Sequence, residues 1–182
     1  PVYSVILAHL APLNVLREVV VDPASETSVN LLRCLLGERG LAPQFVDEGE
    51  ITVERGRLLI GDPAIRFREE SDGRHRYYDL GQGWKEETGL PFVYALWLMR
   101  PECPGKKAIA EALRSLGRKN IEQLAPVIAA QPEVDPAFCE FYYRQCLRFD
   151  FGAAEKSGLH EFGTLCAKHN LLPGPPPALA LV

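Results

Sequence analysis

The sequence predicts an α/β fold, in which strands and helices alternate before a mainly helical segment. Two observations support this prediction. Short apolar runs alternate with helical patterns as far as Met99, and only helical patterns follow Arg100. We therefore predict two parts: residues 1–98, an α/β lobe with hinge strands, and residues 99–182, a mainly helical segment that returns to the other lobe.

The predicted strands are short runs rich in β-branched and aromatic residues. The run Val19-Val20-Val21 is typical of a strand that is buried on both faces. The last strand would cross between the two parts of the chain. In order, the predicted strands are Tyr3–Leu10, Arg17–Asp22, Gln44–Asp47, Leu58–Ile60, Arg76–Leu80 and Phe92–Met99.

Helix starts and stops are marked by capping residues and glycines. The first helix begins at Ser25, has an apolar stripe at Val29, Leu32, Leu35 and Leu36, and ends at Gly37 or Gly40. A short helix around Trp84–Glu87 ends at Gly89. The later helices are predicted to run from Pro104 to a stop at Gly117, from about Ile121 with a bend at Pro126, from Asp135-Pro136, and over Ala153–His169 before a left-handed cap at Asn170. We expect the Pro-rich tail after Asn170 to be extended.

Composition limits the possible partners. The chain has 182 residues, of which 47% are hydrophobic and 24% charged, and this is typical of a globular protein. Its formal net charge of -4 leaves no basic surplus for a nucleic acid backbone. A dianionic small molecule is compatible with that charge, because a helix N-terminus can bind an anion.

The cysteines and the opening segment indicate a cytoplasmic protein. The five cysteines form no C-x-x-C pair, and Cys139 and Cys146, if on one helix, lie about 10 Å apart at ~1.5 Å per residue, too far for a disulfide. We expect reduced, mostly buried thiols. No apolar run approaches a membrane span, and the opening residues lack the features of a signal peptide. A strand that begins at Pro1, without an initiator Met, suggests a start inside the fold.

Common catalytic motifs are absent from the sequence. It contains no G-x-G-x-x-G, G-x-x-x-x-G-K-[ST], G-x-S-x-G or H-E-x-x-H pattern, and the four histidines show no metal-ligand spacing. The residues alone therefore show no motif for a metal or a cofactor.

The stretch from Asp22 to Ser28 is the first candidate site. Ser25, Thr27 and Ser28 place three hydroxyls at the start of a helix that follows a buried strand. Together with the first amides of the helix, they could hold a carboxylate. Plain N-capping, which needs only one hydroxyl, explains the pattern equally well.

Two further stretches could line a cleft. A strand that ends in Gly61-Asp62 places a carboxylate at the carboxyl edge of a sheet, where α/β ligands bind. Gly61-Asp62-Pro63 is also a sequence typical of a simple turn, and the residues alone favour the turn over a ligand site. The segment from Tyr78 to Trp97 predicts a strand, a capped helix with Trp84 beneath it, a glycine stop and another strand. It would form a rigid connector.

These three stretches, in this order, resemble the chorismate dehydratase family of the futalosine route to menaquinone. The family patterns are S-x-T-S before a Leu-rich helix, L-[LI]-I-G-D-x-A, and Y-D-L-G-x-x-W-x-x-x-T-G-L-P-F-V-[FY]-A-x-W. The resemblance implies a type II periplasmic-binding-protein fold, with two lobes and a cleft between them. It also implies that family members carry another half-lobe before the position of Pro1, with an Asn near the substrate.

The implied reaction is loss of water from chorismate, which gives 3-[(1-carboxyvinyl)oxy]benzoate without a cofactor. The expected ligand is this small molecule, with no nucleic acid and no membrane, and the oligomeric state is left open. The expected substrate-binding residues are Ser25, Thr27, Ser28, Gly61 and Asp62. No catalytic base is assigned: Asp62 could remove the proton, could orient the Gly61 turn, or could leave the proton to a carboxylate of the substrate itself.

Two alternative functions share this fold. The sibling 1,4-dihydroxy-6-naphthoate synthase resembles the chain in two of the stretches, but it has a His at the position of Gly61. A solute-binding protein would bind without catalysis, and its usual secretion signal is not seen. A fragment that lacks half a lobe could also be inactive.

Overall fold

The computed structural model describes residues 1–21, 25–130 and 134–174. The chain forms two compact units. Unit 1 comprises Pro1–Tyr94 and a second segment that begins at Phe151, and unit 2 comprises Ala95–Asp150. Residues 22–24 and most of the predicted Pro-rich tail, from residue 175 onward, lie outside the described residues.

Unit 1 is built on a mixed five-stranded sheet with four helices. The strands are β1 (Val5–His9), β2 (Glu18–Val20), β3 (Gln44–Val46), β4 (Arg55–Ile60) and β5 (Arg76–Asp79). The helices are α1 (Glu26–Glu38), α2 (Asp62–Glu70), α3 (Leu80–Thr88) and α7 (Ala153–Lys168), and a 3₁₀ turn covers Leu13–Val15. These elements confirm the predicted α/β class.

The strand order of the sheet is β3-β2-β4-β1-β5. β2 runs parallel to both β3 and β4, whereas β1 is antiparallel to β4 and β5. The carboxyl ends of β2, β3, β4 and β5 therefore meet at one edge of the sheet, together with the start of β1. This edge, the carboxyl edge of the sheet, carries the starts of α1, α2 and α3.

The hydrophobic core lies on the face of the sheet that α1, α3 and α7 cover. The apolar stripe predicted for α1 is confirmed, because Leu32, Leu35 and Leu36 are buried within the core. Trp84 of α3 is fully buried, and its ring lies 5.2 Å from that of Phe92 and 6.1 Å from that of Phe162 in α7, measured between centroids. The segment after α3 and the returning helix α7 thus complete one aromatic cluster.

Unit 2 consists of helices that bury little. They are α4 (Lys106–Glu122), α5 (Leu124–Ala129) and α6 (Pro136–Phe141), which continues into a π-helical turn over Tyr142–Cys146. The predicted cap at Asp135 is confirmed, since its carboxylate accepts a hydrogen bond of 3.0 Å from the Phe138 N–H. None of the side chains of α4 is buried.

Three sequence predictions about elements were wrong. Gly61-Asp62-Pro63 begins helix α2 instead of a simple turn, because Pro63 at the start of a helix needs no N–H acceptor. The segment Phe92–Met99 forms no strand, since it has no place in the hydrogen-bonded strand order of the described sheet. Helix α4 continues through Gly117, and the break comes at Gln123 instead of a bend at Pro126.

Candidate active site

The direction of chain connections reverses between β2 and β4. These strands are parallel neighbours, with Val19 opposite Gly56 and Val20 opposite Arg57. β2 leads through α1 to β3 on one side, whereas β4 leads through α2 to β5 on the other. Ligands of α/β sheets bind in the crevice that such a reversal opens beyond the carboxyl ends of the strands. The carboxyl edge between β2 and β4 is therefore the candidate active site.

The start of α1 forms one side of this site. Ser25 is the N-cap residue, as predicted, but its hydroxyl makes no capping hydrogen bond. The first bond within the helix joins the Val29 N–H to the Ser25 carbonyl oxygen at 3.1 Å, so the amides of residues 26–28 have no acceptor within the helix. Aligned amides at a helix start favour a bound negative charge.

The two remaining hydroxyls of α1 differ in exposure. Thr27 is half-buried, whereas Ser28 is only 3% exposed and lies on the same helical stripe as the buried Leu31 and Leu32. Thr27 is thus the more accessible of the two predicted ligands. The earlier part of the predicted stretch, Asp22-Pro23-Ala24, lies outside the described residues.

The start of α2 lies at the same edge. Gly61 has φ 66° and ψ −141°, a conformation that glycine adopts far more readily than other residues. Its N–H donates to the Ser4 carbonyl oxygen at 2.7 Å, and its own carbonyl accepts from Ala64 and Ile65 at 3.0 and 3.2 Å. Both backbone groups of Gly61 are therefore used within the protein. A side chain there would point into open space, so Gly61 offers room rather than a hydrogen bond.

Asp62 is the carboxylate nearest to this turn in sequence. This carboxylate is exposed at the first position of α2, and it forms no hydrogen bond or ion pair with any residue that the structure describes. A carboxylate in this position would repel a dianionic ligand. The geometry therefore leaves the alternatives for Asp62 open.

The third predicted stretch reaches the same edge through β5 and α3. The predicted glycine stop is confirmed, because Gly89 has φ 71° and its N–H donates to the Lys85 carbonyl oxygen at 2.9 Å. Asp79, at the junction of β5 and α3, accepts a hydrogen bond of 2.9 Å from the Gln82 N–H. Sequence reasoning gave Asp79 no role, although an Asp that ends a strand and caps a helix was a visible signal.

Asp79 forms part of a polar cluster on the α2 face of the sheet. A guanidinium nitrogen of Arg68 lies 3.7 Å from its carboxylate. The Arg68 guanidinium also lies 4.3 Å from the ring centre of Tyr3 and 4.9 Å from that of Tyr77. These cation–π distances place a cation in contact with two aromatic rings, next to the carboxyl edge of the sheet.

Two titratable groups with shifted pKa values, His9 and Cys34, lie away from this edge. His9, at the opposite end of β1, has its pKa lowered by burial. The hydrogen bond with the Cys166 thiol, whose sulfur lies 3.9 Å away, and burial raise the pKa of Cys34 in the core. All five cysteines are free and four of them are buried, which confirms the predicted mostly buried thiols.

No metal or membrane feature accompanies the site in the described part of the chain. Within residues 1–21, 25–130 and 134–174, no three side chains of the His, Cys, Asp or Glu type come together as metal ligands. None of the helices in the same ranges is long and apolar enough to cross a membrane. A shallow depression lined by Arg17, Glu18, Thr52, Glu54 and Arg55 lies at the opposite edge of the sheet, where these charges pair with one another.

The fold and the site define the class: an α/β protein whose candidate ligand crevice lies at a reversal in a mixed sheet. A family model for menaquinone biosynthesis matches residues 1–168. The chain therefore belongs to the menaquinone biosynthesis family.

Curated relatives are similar over most of the chain. The chain is 34% identical to the chorismate dehydratase of Thermus thermophilus, in an alignment that covers 88% of this chain and 67% of that protein. It is 27% identical to the chorismate dehydratase of Campylobacter jejuni subsp. jejuni, over 67% of this chain and 54% of the relative. The chain thus spans about two thirds of the length of the first relative and about half of the second.

Proposed function

We propose that this protein acts as a chorismate dehydratase in menaquinone biosynthesis. The observation that carries the proposal is its similarity to two enzymes of that name, together with its membership of the family. The position of the site residues supports it, since the starts of α1 and α2 lie at the strand pair where an α/β protein binds its ligand.

The reaction removes a hydroxyl group and a proton from the ring of chorismate. One C–H bond and one C–O bond break, a ring double bond forms, and water leaves. The product, 3-[(1-carboxyvinyl)oxy]benzoate, is aromatic, and this supplies the driving force. The protein must mainly hold a dianion in a reactive geometry and stabilise the charge that develops.

In this proposal α1 anchors one substrate carboxylate. The amides of residues 26–28 and the hydroxyls of Ser25, Thr27 and Ser28 would donate to it, and the helix dipole favours the negative charge. Gly61 would leave space for the ring, because a side chain there would occupy the open region beside the turn.

The proposed arrangement of the whole protein is that of a type II periplasmic-binding protein, with the substrate between two lobes. The division into residues 1–98 and 99–182 belongs to the same proposal. We also propose a cytoplasmic location, supported by five free cysteines, which suit a reducing compartment. Cell fractionation tests that location.

Turnover of chorismate by the purified protein is the primary test. We expect the ultraviolet spectrum of chorismate to be replaced by that of an aromatic product, with water loss confirmed by mass spectrometry. Binding of chorismate without conversion would instead indicate a binding protein of the same fold, and absence of both would overturn the proposal.

The double variant Thr27→Val/Ser28→Ala tests the anchor. Loss of two hydrogen bonds to a charged group should cost about 3 kcal/mol or more, roughly a hundredfold or more in kcat/KM. The matched control is Ser115→Ala/Thr164→Val, which makes the same changes at exposed positions. Unchanged kinetics in the Thr27/Ser28 variant would remove these hydroxyls from the site.

The variant Asp62→Asn tests the assignment of the base. If Asp62 takes the ring proton, the amide variant loses turnover while it still binds chorismate. Full turnover by Asp62→Asn would exclude Asp62 as the base and leave a carboxylate of the substrate as the remaining candidate.

A further inference from the structure

The Asp79 carboxylate makes more hydrogen bonds than its capping role requires. Its side chain is 11% exposed. Besides the Gln82 N–H of α3, it accepts hydrogen bonds from the Val2 N–H at 3.0 Å and the Tyr3 N–H at 2.7 Å. One carboxylate thus ties the start of α3 to the residues that precede β1.

These residues form a tight turn. Tyr3 has φ 69°, in the left-handed region that residues other than glycine rarely adopt, and the Ser4 N–H donates to the Val2 carbonyl oxygen at 2.8 Å. Such a conformation persists only when the surrounding structure holds it. The two hydrogen bonds to Asp79 are contacts that hold it.

The same turn fixes Gly61. The Ser4 carbonyl oxygen, one residue after Tyr3, accepts the hydrogen bond from the Gly61 N–H at 2.7 Å. Gly61 in turn caps α2 with its carbonyl group. A continuous path of contacts therefore runs from Asp79 through Tyr3 and Ser4 to Gly61.

The positive charge of Arg68 offsets the negative charge of the Asp79 carboxylate. The guanidinium of Arg68 lies near the Asp79 carboxylate and close to the rings of Tyr3 and Tyr77, and its side chain is 19% exposed. Because Arg68 belongs to α2, the cluster joins the body of α2 to Asp79, and the Gly61 contact joins its start to Ser4.

We infer that Asp79 is a positioning residue, which through Tyr3 and Ser4 holds Gly61 and Asp62 in place at the substrate crevice. This inference rests on the proposed function for its substrate, because it deepens the description of that same site. Asp79 itself is directed into the protein and does not act on the substrate.

The variant Asp79→Ser separates positioning from capping. Serine is a good N-cap, so α3 keeps its cap, but the shorter side chain does not reach the amides of Val2 and Tyr3. We expect the hydrogen exchange of the Gly61 amide, followed by NMR, to accelerate by about tenfold or more, because the loss of even one of these two charge-assisted hydrogen bonds corresponds to a change of that size. We expect KM for chorismate to rise by a similar factor, with a smaller change in kcat.

Two further variants complete the experiment. Asp72→Asn changes an exposed carboxylate that also accepts a backbone N–H, from Arg74 at 3.2 Å, and should leave both readouts at wild-type values. Tyr3→Gly keeps the N–H and suits the positive φ, so it should keep the Gly61 amide protected. If Asp79→Ser does not fold, Asp79→Asn replaces it, because asparagine keeps the side-chain length and the N-cap but presents an NH₂ group in place of one accepting carboxylate oxygen.

The two readouts distinguish the inference from the proposed function. A folded Asp79→Ser variant with unchanged exchange at Gly61 would overturn the positioning role, as would faster exchange with an unchanged KM. A wild-type protein that does not convert chorismate would overturn the proposed function, while the exchange at Gly61 would still show whether Asp79 fixes that turn.

Discussion

Units 1 and 2 differ in how much apolar surface they bury. Unit 1 has a core that includes the fully buried Leu7, Leu31, Leu35 and Trp84. In the described part of unit 2, the buried apolar residues are Leu124, Cys139 and Cys146, whereas Trp97 and Leu98 are 83% and 76% exposed. Since burial of apolar surface is the main favourable contribution to folding, unit 1 should hold most of the stability of the chain.

Substitution of the two tryptophans of the chain should give the largest difference in stability between the units. Trp84 is fully buried in unit 1 and Trp97 is exposed in unit 2. We expect Trp84→Ala to lower the free energy of unfolding by about 3–5 kcal/mol, because it leaves a cavity in the core. Trp97→Ala should change it by less than about 0.5 kcal/mol. Urea denaturation followed by circular dichroism measures both, and equal effects would refute the comparison.

Alanine substitutions at two glycines inside helices should change the stability of the protein in opposite directions. A Cβ atom at Gly158 in α7 would lie 2.0 Å from the Pro91 carbonyl oxygen, whereas one at Gly117 in α4 would meet nothing within 4 Å. Gly158→Ala should therefore destabilise by about 1–3 kcal/mol through overpacking. Gly117→Ala should stabilise by roughly 0.5–1 kcal/mol, since alanine is the better helix former. Thermal unfolding of both variants gives the signs, and stabilisation by Gly158→Ala would show that α7 is loosely packed.

The smallest expected effect on stability concerns the carboxylates of Glu38 and Glu140. Glu38 in unit 1 accepts hydrogen bonds from Lys168 at 2.7 Å and His169 at 2.6 Å, and these partners lower its pKa. Glu140 in unit 2 forms an exposed pair with Arg144. Because its folded-state pKa is lowered, Glu38 contributes stability that is present above its unfolded pKa and is lost as the pH falls through the folded one.

We therefore expect Glu38→Gln to lower the free energy of unfolding near pH 7. We also expect that free energy to fall less steeply in the variant than in the wild type between about pH 6 and pH 3. Glu140→Gln should leave the curve close to that of the wild type, because exposed pairs contribute little. Denaturation midpoints recorded as a function of pH decide between these results. A curve for Glu38→Gln that matches the wild type would show that the tie between α1 and α7 is not electrostatic.

Local signals predicted unit 1 better than unit 2. Buried strands and the stripe of α1 were visible because their apolar residues face one dense core. The apolar run Phe92–Met99 looked like a strand, but a strand also needs a neighbour to receive its hydrogen bonds, and sequence does not show the neighbour. Likewise Gly117 was predicted to end α4, but the helix continues through it, since a helical glycine is tolerated at modest cost.

The candidate site was predictable only in part. The hydroxyls at Ser25, Thr27 and Ser28 and the Gly61-Asp62 turn could be named from their positions after strands. The reversal between β2 and β4 depends on strand order, which the sequence does not display. The contacts that join Asp79, Tyr3, Ser4 and Gly61 bridge residues far apart in the chain, so no local pattern contains them.

Unit 1 is discontinuous along the chain, and this has a consequence for synthesis. The sheet and its first three helices are complete by Tyr94, but Phe162, Leu165 and Cys166 of α7, which pack on the core, follow about 70 residues later. At ~5–20 residues per second, a ribosome needs roughly 4–14 s to deliver them. During that interval α1 and Trp84 of α3 expose apolar surface that α7 covers in the folded protein.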